Sequence, residues 1–136
     1  MDASKIGKSI KLLSGSQVVI FGCGNILGNC LEAANHLLKE NISCSVINLH
    51  TIKPIDSETI LNETKNCKLI VSVEEHNIIG GLGSAISEVI SQKENKSKLI
   101  RIGINDSYSK GGSYDYLKDF YGLSVEKIID KVKSNI

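Results

Sequence analysis

Runs of consecutive apolar residues alternate along this chain with segments whose apolar residues recur every three or four positions, and few folds accept that alternation. Val18–Val19–Ile20–Phe21 reads as a strand covered on both faces, Leu69–Val73 as another buried strand, and Cys44–Leu49 and Leu99–Ile102 as further strands, all rich in β-branched and other apolar side chains. Between the first two, Leu27, Cys30, Leu31, Ala34, Leu37 and Leu38 make a single helical stripe. Leu82, Ala85, Ile86, Val89 and Ile90 make another, and Val125, Ile128, Ile129 and Val132 a third. Buried strands separated by amphipathic helices demand a mainly parallel sheet with helices on both faces, because each parallel crossover must return over the sheet.

Local signals mark the joints. Asp56 is placed to cap a helix, with Ile55 and Ile60 forming a hydrophobic staple, and Ser124 does the same with Leu123 and Ile128. Residues 8–13 (KSIKLL) alternate polar and apolar and meet the next strand through Gly15–Ser16, a turn and not a helix, which suits an edge strand. Gly103–Gly112 reads as a polar, glycine-rich loop, and residues 114–121 as a short helix stopped by Gly122. Residues 1–5 read as a loose N-terminal linker and 6–136 as one domain, in keeping with a chain of 136 residues.

Composition narrows the class of function. Sixteen basic against fifteen acidic side chains leave a net charge of +1, with no basic face to meet a phosphate backbone, so a nucleic-acid binder is disfavoured. No apolar run approaches the length of a membrane span, and no secretory signal is expected. Cys23, Cys30, Cys44 and Cys67 form no CxxC pair and sit in or beside apolar segments. They read as reduced cysteines used as small hydrophobes in a cytoplasmic protein, and no metal site is expected.

Two glycine loops follow buried strands and open helices. Gly22–Cys23–Gly24–Asn25–Ile26–Leu27–Gly28 resembles a dinucleotide fingerprint but has GxGxxxG spacing, and the next strand ends at Asn48 with no acid for a ribose. The plainer reading is a tight strand-to-helix turn, with Gly28 allowing close packing on the sheet. Val73–Ser84 gathers Glu74, Glu75, His76 and the glycines Gly80, Gly81 and Gly83. His76 beside two carboxylates is a conceivable acid–base group; Glu75 and His76 alternatively cap the helix or face solvent. Together Gly22, Gly24, Asn25, His76, Gly80, Gly81, Gly83 and Ser84 form a candidate anion or regulatory crevice. His36 and His50 read as structural, His50 covering a strand end, and Arg101 and Lys110 as solvated cations. Five of the six aromatic residues (Tyr108, Tyr114, Tyr116, Phe120, Tyr121) cluster late in the chain, suiting helix packing or a partner surface.

The ordered segments IGKSIKLLSGSQVVIFGCGNIL, SVINLHTIKPID, LIVSVEEHNIIGGLGSAISEVI and LIRIGINDSYSKGGSYDYLKDFYGLSVEKIIDKV resemble the C-terminal domain of transketolase over residues 6–133. The same domain ends 1-deoxyxylulose-phosphate synthase and the beta chain of 2-oxoacid dehydrogenases; EEH with GGLGS favours the transketolase branch. Asn105 stands where the family often has proline. The resemblance implies a three-layer α/β/α fold with a five-stranded mixed sheet of order 1-3-2-4-5 and the first strand antiparallel. That order brings both glycine loops to one crevice between the second and fourth strands. It further implies an enzyme moving two-carbon ketol units between sugar phosphates. Its thiamine diphosphate and magnesium lie between a pyrimidine-binding and a pyrophosphate-binding domain, usually across a homodimer interface. This sequence holds no GDG…N diphosphate motif and no pyrimidine domain, so the resemblance implies no catalytic or cofactor-binding residue on this chain. A role in domain contact, dimer support or regulation is expected, with no catalysis alone.

Overall fold

A computed structural model of the chain describes residues 8–50, 54–77, 81–92, 97–104 and 122–136. Five strands, β1 (Ile10–Leu13), β2 (Val18–Gly22), β3 (Cys44–Asn48), β4 (Leu69–Asn77) and β5 (Lys98–Ile104), form one sheet of order β1-β3-β2-β4-β5. β1 runs antiparallel to β3, and the other pairings are parallel. Helices α1 (Leu27–Lys39), α2 (Ser57–Thr64), α3 (Leu82–Ile90) and α4 (Val125–Lys133) cover the sheet. This is the expected fold class, topology included. The expected helix at 114–121, the late aromatic cluster and residues 105–112 of the expected loop lie outside the described residues.

The two helical layers follow from the two-residue period of the strands. On β2, Val18 and Ile20 point into a core shared with Cys30, Ala33, Ala34 and Leu37 of α1 and Ile128 and Val132 of α4. Val19 and Phe21 point the other way, against Ile60 of α2 and Leu82, Ile86 and Val89 of α3. All five β2 residues are buried, as a strand covered on both faces requires. α1 ends with Asn41 at φ 64 and with Ile42 N–H donating to the Leu37 carbonyl, a left-handed stop that asparagine tolerates. The second expected staple holds: Ser124 Oγ accepts from Lys127 N–H, and Leu123 and Ile128 are both buried.

Two structural joints fix the edge strand. The turn after β1 passes so close to β3 that a Cβ on Gly15 would collide with the backbone of Cys44. Ser45 Oγ receives Gly15 N–H at 2.9 Å and donates to the Gly15 carbonyl at 2.7 Å, satisfying a buried hydroxyl. At the other joint Asp56, only 4 % exposed, accepts from Thr59 N–H (3.2 Å) and Thr59 Oγ1 (2.8 Å), capping α2. It also accepts from Ser9 N–H (2.8 Å) and Ser9 Oγ (2.9 Å), tying the start of the domain to α2. The sequence points to the cap; nothing local points to Ser9, 47 residues away.

Of the four cysteines, Cys30, Cys44 and Cys67 are buried, and all four are free thiols. Burial pushes the Cys30 thiol up to about 12 and that of Cys44 up to about 11, so neither offers a thiolate at neutral pH. Cys23 departs from the expectation of a core thiol: it is exposed, because the chain leaves the sheet at Gly22 and turns outward.

Replacing Gly15 by Ala is expected to cost about 1–3 kcal/mol, since the backbone it meets cannot give way as a side chain would; urea unfolding measures it. Burial alone would raise the Asp56 carboxyl, but the four hydrogen bonds from Ser9 and Thr59 outweigh it and hold the pKa below the ordinary value. Asp56 therefore stabilises the fold above the usual carboxylate range, and that stabilisation is lost as pH falls through its lowered pKa. Asp56→Ala is expected to lose about 2 kcal/mol at neutral pH. The gap to wild type should shrink as the solution is acidified, as pH-dependent unfolding curves would record.

Candidate functional site

β2 is hydrogen-bonded to β3 on one side and β4 on the other, and the connections after β2 and β4 leave to opposite faces. The carboxyl ends of β2 and β4 thus open a crevice, the usual ligand position in open α/β sheets. A cavity of about 210 Å³ lies there. Cys23 and Gly24 line it from the turn after β2, His50 from the end of β3, Glu74 and Glu75 from β4, and Gly81 from the start of α3. Leu49 and Leu82, both nearly fully buried, form its apolar floor.

The side chain that organises this end is Glu74, 3 % exposed on β4. Its Oε1 accepts from Leu82 N–H and its Oε2 from Gly83 N–H, each at 2.9 Å. A strand carboxylate thus satisfies two first-turn amides of α3 and places negative charge at the positive end of its dipole. The N-cap itself, Gly81, has no side chain to offer. The sequence offers Glu75 or His76 as a cap; the structure gives that task to Glu74, because β4 continues to Asn77 and alternation turns Glu74 toward α3. β4 was expected to stop at Val73; β5 extends it, with Asn77 pairing with Ile104.

The expected crevice residues come together in part. Gly24 and Gly81 line the cavity. Gly22 ends β2, where a Cβ would stand 3.2 Å from Leu27 Cδ2, and Gly24 takes φ 78 to start a 3-10 turn ending at Ile26. Asn25 is exposed in that turn. Gly83 lies in the first turn of α3, where an added Cβ would come 2.6 Å from both Ser72 Oγ and Arg101 Cδ. Ser84 Oγ takes a long, 3.4 Å hydrogen bond from Arg101 Nη1. His76 belongs to β4, and Gly80 lies outside the described residues. Close packing on the sheet is therefore the task of Gly83 and not of Gly28, which has open space where a Cβ would be.

His50 acquires a different setting from the one expected. It covers the end of β3, but both ring nitrogens are buried without a hydrogen-bond partner among the described residues, and the ring lines the cavity. No local pattern marks it, since its neighbours come from β2 and β4. Arg101, Lys127 and Lys131, with Asp130, line a separate groove of about 350 Å³ along β5 and α4.

This lining does not fit thiamine diphosphate. Among the described residues the crevice presents two carboxylates and no lysine or arginine to a diphosphate, and the α3 amides that would receive an anion already hold Glu74. No three potential metal ligands converge among the described residues. None of the described helices is long and apolar enough to cross a membrane.

Glu74→Ala is expected to cost about 3 kcal/mol, leaving two helix amides without their charged acceptor. Gly83→Ala should cost about 1–3 kcal/mol, with partial recovery in Gly83→Ala/Ser72→Ala, because Ser72 is fully buried whereas Arg101 can swing aside. Thermal unfolding of the single and double variants measures both.

Comparison with known proteins agrees with the geometry. The family described as transketolase, C-terminal domain, matches residues 7–128. A protein described as a transketolase C-terminal section in Methanocaldococcus jannaschii is 40% identical over 128 residues, 94% of this chain and 40% of that protein. A 1-deoxy-D-xylulose-5-phosphate synthase of Heliobacterium modesticaldum is 38% identical over 123 residues, 90% of this chain and 19% of that enzyme. A split-gene transketolase, solved as an inactive beta4 tetramer, superposes with a TM-score of 0.86 at 31% identity, covering 96% of this chain and 42% of that one. The chain thus spans about two fifths or less of the length of these relatives, and over that span it belongs to the transketolase C-terminal domain family.

Proposed function

We propose that residues 6–136 serve as the C-terminal domain of a thiamine diphosphate-dependent transketolase, a cytoplasmic homodimer that transfers two-carbon ketol units between sugar phosphates. In this reading the chain performs no catalysis alone. It buttresses the pyrimidine-binding and pyrophosphate-binding domains, which hold the cofactor and magnesium. The observation that carries it is a family match along nearly the whole chain, combined with a crevice whose charge opposes a diphosphate. The cofactor supplies the carbanion chemistry when bound. This domain contributes a rigid sheet end and two helical faces against which neighbouring domains can be oriented.

A second reading is favoured by the similarity to the Heliobacterium enzyme: the C-terminal domain of a 1-deoxyxylulose-phosphate synthase. The two readings differ in product and not in the role of this domain. Combining the chain with the cofactor-binding domains of its own enzyme and supplying sugar-phosphate donor and acceptor pairs separates them. Ketol transfer is expected, with activity absent from the chain alone and at least about 100-fold lower when it is omitted, the scale on which loss of positioning acts. Undiminished transfer without the chain would contradict a supporting role, and 1-deoxyxylulose phosphate as the product would select the second reading.

A further inference from the structure

The crevice at the ends of β2, β3 and β4 contains an anomaly that its structural tasks do not use up. Buried polar atoms ordinarily have partners, yet Nδ1 and Nε2 of His50 find none among the described residues, although both are shielded from solvent. The ring lines a cavity into which Glu74 and Glu75 also face. Glu74 spends one lone pair on each oxygen in capping α3, and a carboxylate oxygen retains a second. As a neutral imidazole, His50 offers one acceptor nitrogen. Among the described residues no lysine or arginine lines the cavity, and Arg101, Lys127 and Lys131 border a different groove, along β5 and α4. Acceptors and negative charge therefore converge on an enclosed space with an apolar floor of Leu49 and Leu82.

We propose that this crevice receives the guanidinium of an arginine side chain presented by a neighbouring domain or subunit. Charge complementarity selects a cation. A planar fork of five donors suits several acceptors spread around a slot better than an ammonium does, and its weak hydration lowers the cost of entering a site with an apolar floor. The occupant's being protein rests on reading the chain as a contact domain; the preference for a guanidinium rests on the cavity alone. An arginine here locks the domain at the topological switch point, where one side chain touches the ends of three strands at once.

The test uses the whole chain and N-acetyl-arginine-N-methylamide as a stand-in for a displayed side chain, followed by amide chemical shifts. Saturable shifts at Gly24, His50, Glu75 and Gly81 are expected, with Kd in the millimolar range. The neutral citrulline analogue should produce none, and the lysine analogue should bind more weakly. Glu75→Gln should weaken binding about 10-fold, as loss of a charged acceptor does, and His50→Leu should weaken it as well, with dispersed spectra reporting that each variant folds. Absence of saturable shifts in the wild-type chain overturns the proposal, as does equal binding of the citrulline analogue, or inorganic phosphate moving the same amides while the arginine analogue moves none. Because the probe assay contains no other domain, its failure leaves the contact-domain reading standing. Failure of the chain to support its own enzyme's activity despite arginine binding would instead remove the partner and keep the site.

Discussion

The parallel pairing of β2 with β3 on one edge and β4 on the other is the constraint on which everything else depends. A strand hydrogen-bonded on both edges and buried on both faces admits almost no polar side chain, which is why Val18–Phe21 is wholly apolar. Its two-residue period divides the molecule into two cores, one under α1 and α4 and one under α2 and α3. The same strand sets the functional geography. Because the chain leaves β2 toward one face and β4 toward the other, a gap opens between their ends, and Gly24 and Gly81 of the candidate residues line it.

What fills the gap is decided by electrostatics more than by glycine content. Glycine loops at helix starts suggest anion sites because their amides are free. Here the amides of Leu82 and Gly83 are engaged by Glu74, a group from the neighbouring strand. The glycines retain steric tasks: Gly22 and Gly83 let chain segments approach, and Gly24 adopts a backbone angle that other residues avoid. Among the described residues the crevice is left acidic, with an imidazole that finds no partner there, while Arg101 lies over Gly83.

The sequence revealed whatever depends on local period or local capping. Strand runs, helix stripes, the Asp56 and Ser124 caps, and KSIKLL as an edge strand are all visible within windows of a dozen residues. The strand order came from the family resemblance, since hydrophobic pattern alone does not choose among crossovers. Contacts between distant segments stayed hidden. Ser9 reaches Asp56, Ser45 satisfies Gly15, and His50 meets β2 and β4 only after the sheet is assembled. The cap of α3 falls to Glu74 and not to Glu75 or His76, because the length of β4 depends on its pairing with β5.

In the proposed reading this chain belongs to a thiamine-dependent enzyme and does not itself hold the cofactor. Calorimetric titration of the chain with thiamine diphosphate and magnesium tests that claim most directly. The account predicts only heats of dilution, as carboxylates at the crevice and occupied helix amides require. A one-site isotherm in the micromolar range would contradict it.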